Sequence, residues 1–135
     1  MLNMQSINKQ MNVKMAENSK IRDIHERIYN FVIRVINLTK ALPKTPQNEV
    51  IIYQITKSVT SMGANDQEAD GAESKKDFIS KYSIVKKENK ETNYWLRVIS
   101  DTNPSFKIHI KDLQNEGIEV LKIISSIILN SKRKI

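Results

Sequence analysis

Residues 77–100 have the sequence DFISKYSIVKKENKETNYWLRVIS. One stripe of residues recurs through this segment in strictly alternating steps of four and three: Phe78, Tyr82, Val85, Asn89, Thr92, Leu96 and Ile99. A repeat of about 3.5 residues is typical of a helix that packs along its whole length against other helices. Residues 77–100 therefore predict a long bundle helix, with Asn89 and Thr92 as polar interruptions of its seam.

Two further helices are predicted upstream of this segment. Residues 20–42 carry an apolar stripe in steps of three and four, and the prolines at 43 and 46 end it. Thr45 followed by Pro46 is a favourable helix start, because a threonine side chain can cap the first turn and the first helical position accommodates proline. The second helix is expected to end near Gly71.

The third helix is expected to begin at Ser74, whose hydroxyl caps the backbone near Asp77. Asn103-Pro104 then separates it from a fourth helix with a wide apolar stripe from Phe106 to Ile128. Four amphipathic helices with short connections predict an all-α, antiparallel up-down-up-down four-helix bundle over residues 20–131. Residues 1–19 are expected to form a flexible arm, and residues 132–135 a basic tail.

Composition excludes several classes of protein. The 135 residues contain no cysteine, which excludes a disulfide framework, a thiolate metal site and a cysteine nucleophile. This composition fits a reducing compartment, and we expect a cytoplasmic protein. No apolar run is long enough for a membrane span, so no membrane association is expected.

The sequence contains no convincing arrangement of catalytic or metal-binding residues. His25 and His109 lack a neighbouring ligand, and we expect both to be surface or capping residues. The acidic residues between 66 and 73 lack the spacing of a calcium loop and are expected to be structural. The sequence therefore predicts no enzyme, no metal and no cofactor.

The charge is positive and unevenly distributed. The net charge is +7; residues 74–97 carry seven Lys and Arg against three Asp and Glu, whereas residues 41–73 carry two against five. Helical spacing predicts two basic groups on the third helix, and the tail adds three cations; together they are Lys76, Lys87 and Lys90, then Lys75, Lys86 and Arg97, then Lys132, Arg133 and Lys134. These residues are the candidate contacts to RNA or DNA phosphates. A solvated face balanced by local ion pairs is the alternative.

Apolar residues outside the seam suggest contacts between subunits. Ile79, Ile84, Trp95 and Val98 give the third helix a second, partly apolar face. A monomer would leave part of this surface in water, so we expect a homo-oligomer. A wide core face is the alternative.

The segment SVTSMGANDQEADGAESKKDFISKYSIVKKENKETNYWLRVIS, residues 58–100, carries a family resemblance. It is similar to the four-helix-bundle family of proteins encoded by intervening sequences within bacterial 23S rRNA genes. The matching residues are Ser61, Asn65, Glu68, Ser74, Asp77, Phe78, Glu91 and Trp95, which we expect to be structural. A looser match extends over about residues 21–128, whereas Asp66-Gln67 and Gly71 make the junction more polar than the family pattern.

The resemblance implies a symmetric homo-oligomer, with a pentameric barrel as the implied form, and it supplies no catalytic residues. One branch of the family serves as the accessory protein of diversity-generating retroelements, which binds nucleic acid and a reverse transcriptase. Our hypothesis is therefore an oligomeric protein that binds RNA or DNA or serves as a ribonucleoprotein accessory factor, with a reverse transcriptase or another protein encoded nearby as a further partner. The alternative is a protein-interaction scaffold that uses exposed apolar residues such as Trp95 and Ile79.

Overall fold

The computed structural model describes residues 3–133, with the side chains of residues 3–12 and 24–133. Four α-helices follow one another: α1 (Met4–Ala41), α2 (Pro46–Asp70), α3 (Lys75–Thr102) and α4 (Lys107–Arg133). A short 3₁₀ helix, Pro104–Phe106, joins α3 to α4. Residues 3–133 contain no strand, so the predicted all-α class is confirmed.

The predicted caps of α2 and α3 are present. The Thr45 hydroxyl accepts a hydrogen bond from the Asn48 amide at 3.1 Å, and the Ser74 hydroxyl accepts one from the Asp77 amide at 3.0 Å. Each cap satisfies one of the amides that the first turn of a helix leaves without a partner. Local sequence chemistry therefore fixes where both helices begin.

The first helix is longer than predicted. It begins at Met4 instead of near residue 20, and the side chain of Asn3 caps it by accepting a hydrogen bond from the Ser6 amide at 2.8 Å. No glycine or proline interrupts residues 4–41, so nothing in the backbone stops the helix between the cap and the core. The flexibility of residues 1–19 stays a prediction.

The chain end also differs from the predicted boundary. Lys132 and Arg133 lie in the last turn of α4, where their positive charges interact favourably with the negative end of the helix dipole. Lys134 lies outside the described residues.

The helices pack in a closed cycle, since α1 contacts α2 and α4, and α3 contacts α2 and α4. Two residue pairs show that α2 and α3 run in opposite directions. Asp66 and Asn48 of α2 contact Tyr82 and Asn103 of α3, respectively. The core lies between all four helices.

The predicted seam of α3 is buried. Tyr82, Val85, Leu96 and Ile99 are each at most 1% exposed. Asn89 and Thr92 are also fully buried, and they belong to a polar layer in the middle of the core. In this layer the hydroxyls of Ser58 and Thr92 are 2.8 Å apart, and the Asn93 amide donates to the Asn89 oxygen at 2.8 Å.

Gly117 allows α4 to approach α3 and α1 closely. A methyl group at this position would overlap the Asn93 amide and would lie 3.2 Å from Cζ of Phe31. The Asn93 amide also donates to the carbonyl of Gly117 at 3.3 Å. The absence of a side chain at position 117 therefore determines the local spacing of three helices.

The expected exposure of Trp95 is wrong. Its indole is half-buried against the core, its N–H is buried without a hydrogen-bond partner, and its ring meets that of Tyr94 edge to face. Ile79 is half-buried as well. Neither residue is a freely exposed anchor for a partner.

Candidate nucleic-acid interface

The candidate cations of α3 share one side of the helix. At about 100° per residue, all six fall within an arc of about 120°, instead of the two separate groups predicted from the sequence. Lys75, Lys76, Lys87, Lys90 and Arg97 are exposed, and Lys86 is half-buried. The arc includes the side of α3 that faces α4, because Asn93 at its edge contacts Gly117.

The neighbouring surface of α4 is basic too. Glu116 and Asp112 of α4 form ion pairs with Arg27 and Arg34 of α1, at 2.7 and 2.9 Å, and so mark the α1-facing side of α4. The helical period places the α4 cations on the other, α3-facing and outer side. All of them are exposed: Lys107, Lys111, Lys122, Lys132 and Arg133.

Together these cations form one surface, which we call the basic face. It consists of Lys75, Lys76, Lys86, Lys87, Lys90 and Arg97 of α3 and Lys107, Lys111, Lys122, Lys132 and Arg133 of α4. Asn93 of α3 contacts Gly117 of α4, and the helices are joined by the short Pro104–Phe106 connection, so α3 and α4 run in opposite directions. The helical rise then places Lys132 and Arg133 at about the level of Lys75 and Lys76, and Lys111 at about the level of Arg97. The predicted cations that the structure describes are therefore brought together.

Most acidic side chains of α3 lie outside the basic face. Asp77, Glu88 and Glu91 lie on the half of α3 that turns towards α2. Of the four acidic residues of α3, only Asp101 shares the outer side with the cations. Within residues 24–133, no ion pair involves Lys86, Lys87, Lys90 or Arg97, so local pairing does not neutralise these four charges.

Lys81 shows the contrasting case on the other side of α3. Its ammonium lies 3.0 Å from the Glu68 carboxylate of α2, and this hydrogen bond and the charge of Glu68 raise the pKa of Lys81. Glu68 is one of the motif residues that we expected to be structural. Its ion pair links α2 to α3 outside the basic face.

The other motif residues also make local or packing contacts. The Asn65 amide donates to the Ser61 carbonyl within α2 at 2.9 Å. The rings of Phe78 and Tyr82 lie 4.7 Å apart, with Phe78 half-buried at the edge of the core. Glu91 is exposed on α3.

A buried carboxylate at the junction of three helices was missed by the sequence reasoning. Asp66 is only 1% exposed; it accepts a hydrogen bond from the Tyr82 hydroxyl at 2.7 Å, and Nδ1 of His25 lies 2.9 Å from both of its oxygens. Burial, and then the charge of Asp66 and its hydrogen bond, raise the pKa of Tyr82 well above its ordinary value of about 10. This cluster clamps α1, α2 and α3 together.

The two histidines therefore have different environments. His25 is half-buried in the cluster, with Nε2 3.5 Å from Asp70, so the expectation of a surface or capping residue is wrong for it. His109 is exposed, as expected. Burial of His25 depends on Asp66, which lies 41 residues away in the chain, and no local pattern reveals such a contact.

The side chains described for residues 3–12 and 24–133 include no group of three or more His, Cys, Asp or Glu that could hold a metal ion. Over the same part of the chain, no helix is both long and apolar enough to cross a membrane.

The chain is a small all-α protein whose four helices surround one core and whose outer surface on α3 and α4 is cationic. Comparison with known proteins identifies its family. The family model of the 23S rRNA-intervening sequence protein matches residues 21–126. The chain therefore belongs to the 23S rRNA-intervening sequence protein family, as the resemblance of residues 58–100 implied.

A solved structure supports this assignment. It is a crystal structure of a protein of unknown function from the S23 ribosomal protein family of Bacteroides thetaiotaomicron, which is 36% identical in sequence. The match has a TM-score of 0.74 and covers 81% of this chain and 97% of that one. No curated protein matches this chain significantly.

Proposed function

We propose that this protein is a non-enzymatic, cytoplasmic nucleic-acid-binding protein that acts as a ribonucleoprotein accessory factor. In this proposal the four helices form an antiparallel up-down-up-down bundle, and copies of it assemble into a symmetric homo-oligomer, with the pentamer implied by family resemblance. A reverse transcriptase or another protein encoded nearby is a further proposed partner. The observation that supports the proposal is the segregation of cations onto the basic face.

The dimensions and charge of the basic face suit a nucleic-acid backbone. From Lys75 to Arg97 it extends about 33 Å at a rise of about 1.5 Å per residue, close to one turn of a DNA duplex. Lysine and arginine contacts to phosphates give affinity with little sequence preference. Repetition of the face around a symmetric oligomer would strengthen binding through multiple attachment.

An exposed aromatic residue lies within the same face. Tyr94 is 58% exposed and follows Lys87 and Lys90 along the outer side of α3. An aromatic ring between cations offers a stacking surface for an unpaired base. We therefore expect single-stranded RNA or DNA to bind at least as well as a duplex.

Salt dependence of binding tests the proposal. Fluorescence anisotropy with labelled 20-nucleotide RNA and DNA, single- and double-stranded, is measured from low to moderate salt, with light scattering of the same samples. If about six phosphates of a DNA duplex are neutralised, the slope of log K against log salt is about −5. No binding at low salt, or binding that does not weaken with salt, would exclude this function.

An adaptor without nucleic-acid binding is the second candidate. It is favoured by the groove between α1 and α2, where exposed Tyr29 and Thr60 surround a largely apolar cavity of about 220 Å³. Recovery of one defined protein partner after nuclease treatment would support the adaptor, provided that the basic-face variants retain that partner.

A further inference from the structure

The amino-terminal part of α1 carries an apolar stripe that nothing covers in a single chain. Met4, Ile7 and Met11 are 70%, 37% and 56% exposed, and they follow one another in steps of three and four. Residues 3–12 contain one charged side chain, that of Lys9. An uncharged helix surface with three large apolar residues is costly to leave in water.

A second uncovered apolar surface lies further along the same helix. Tyr29 and Ile33 are exposed, and Ile36 is half-buried one turn on. Tyr29 lies at the edge of the α1/α2 groove, whose α2 wall is formed by Thr60, Gly63, Ala64 and Gln67. The one charged residue of the lining, Asp66, is buried. At about 100° per residue, the stripe of Met4, Ile7 and Met11 and that of Tyr29, Ile33 and Ile36 fall within one arc of about 80° on α1.

The stripe cannot reach this groove in its own chain. Both surfaces belong to one continuous helix, Met4–Ala41, and Met11 precedes Tyr29 by about 27 Å along its axis. A straight helix cannot fold back on itself without a break, and α1 contains neither proline nor glycine. Any chain that covers the groove with this stripe must therefore be a second copy.

The spacing of the two stripes is self-complementary. The first has steps of three then four, and the second has steps of four then three. When two α1 helices are laid antiparallel, Met4 faces Ile36, Ile7 faces Ile33, and Met11 faces Tyr29, with one constant register for all three pairs. A two-fold axis at residue 20 produces this register, and each pair then occurs twice, as an isologous interface requires.

We propose that two copies of this protein pair through α1, each laying its amino-terminal stripe (Met4, Ile7, Met11) into the α1/α2 groove of the other beside Tyr29, Ile33 and Ile36. The contact adds a specific two-fold interface to the proposed self-association. It requires neither nucleic acid nor the basic face.

Engineered cysteines test the register directly, because the chain has none of its own. Ile7→Cys combined with Ile33→Cys should give disulfide-linked dimers on a non-reducing gel under mild oxidation. Ile7→Cys combined with Leu129→Cys is the matched control, since Leu129 is 50% exposed on α4. We expect the first pair to cross-link at least about tenfold faster; equal rates would overturn the proposal.

Each cysteine alone provides a second control. In the proposed register the two Ile7 positions of a dimer lie about 39 Å apart along the axis, and so do the two Ile33 positions, so neither single variant should cross-link with itself at that interface. Efficient dimer formation by Ile7→Cys alone would indicate a different register and would overturn the proposal.

Light scattering then separates this contact from the other proposals. Ile7→Glu should halve the assembled mass, because it buries a carboxylate in the groove, whereas Gln5→Glu, on another side of α1, should leave the mass unchanged. An unchanged mass for Ile7→Glu overturns the α1 pairing. If the Ile7→Glu variant still binds nucleic acid in a salt-dependent way, the proposed function stands independently of the α1 pairing. If neither the variant nor the unaltered protein binds nucleic acid, the proposed function fails and the α1 pairing is judged by the mass alone.

Discussion

The basic face and the α1/α2 groove lie on the same set of helices but have opposite chemistry. The basic face presents eleven cations on α3 and α4 around exposed Tyr94. The groove, lined by Tyr29 and Val32 of α1 and by α2 residues between Thr60 and Gln67, presents no charged side chain except the buried Asp66. The positive charge of the basic face favours binding of a polyanion that remains partly hydrated. The largely uncharged lining of the groove favours a dry contact between apolar side chains. The difference is consistent with the proposal of two separate partners, one for each surface.

Replacing Asp66 by alanine should have the largest effect, because it removes the clamp at the end of the groove. His25 and Tyr82 would lose the carboxylate that both contact, and each buried polar group left without its partner costs about 1–3 kcal/mol. Urea denaturation measures the loss. Asp70→Ala is the control, since Asp70 is 67% exposed, and an equally large loss there would contradict the role of the buried cluster.

Charge reversal on the basic face should separate the two surfaces most clearly. Lys87→Glu combined with Lys90→Glu should weaken nucleic-acid binding by about 100-fold at low salt and reduce the magnitude of the salt slope by about 2. Fluorescence anisotropy measures both quantities.

The matched control is Lys40→Glu combined with Lys57→Glu, which makes the same change in net charge at exposed positions of α1 and α2. If the control loses as much affinity as the basic-face variant, binding depends on total charge alone and the comparison of the two surfaces fails.

Two helical glycines allow the packing beside the two surfaces to be compared. Gly63 lies where α2 meets α1, and Gly117 lies where α4 meets α3 and α1. Gly117→Ala should cost about 2 kcal/mol, since its methyl group overlaps the Asn93 amide and approaches Phe31. Gly63→Ala places its methyl group 3.1 Å from Cγ2 of Val32, where the crowding is offset by a gain in helix propensity of about 1 kcal/mol. Thermal unfolding should therefore show a clear loss for Gly117→Ala alone.

The smallest expected effect concerns Tyr82 and pH. The pKa of Tyr82 is raised in the folded protein, so the folded tyrosine keeps its proton at pH values at which the unfolded tyrosine releases it. The stabilisation is thus complete below about pH 10 and decreases as the pH rises above it. Tyr82→Phe should lose about 1 kcal/mol at pH 7, through the missing hydrogen bond to Asp66, and should show a flatter decline above pH 10 in urea denaturation.

A matched variant controls for the alkaline titration of the other residues. Tyr53→Phe changes a tyrosine that is 65% exposed on α2 and should leave the decline above pH 10 unchanged. If Tyr82→Phe and Tyr53→Phe give the same pH profile, the raised pKa of Tyr82 makes no contribution to alkaline unfolding.

Local patterns predicted the helices well where packing is continuous. The seam of α3 was predicted residue by residue, because a helix buried along one side must repeat its core positions every three or four residues. The caps at Thr45 and Ser74 were predicted for the same reason, since their partners lie three residues away. The early start of α1 was missed, although the spacing of Met4, Ile7 and Met11 is a helical signal.

Long-range contacts limited the prediction of the candidate site. The cations were identified from the sequence, and the arc of the six α3 cations follows from helical spacing alone. Joining this arc to the α4 cations in one basic face requires the position of α4 beside α3, where Asn93 contacts Gly117. Asp66 was assigned to a polar junction, because nothing in its neighbourhood indicates His25 as a partner. The half-buried position of Trp95 likewise depends on packing against other helices.

The polar layer of Ser58, Asn89 and Thr92 has a consequence for how the helices align. A seam with a seven-residue repeat permits α3 to slide by two turns against α2 while apolar residues still face apolar residues. After such a slide, the Ser58 hydroxyl would face Val85 or Ile99 instead of Thr92, and the side-chain N–H of Asn89 would lose its contact with Sδ of Met62. The layer therefore favours one register of α2 against α3. The positions of the α3 residues of the basic face relative to the other helices depend on that register.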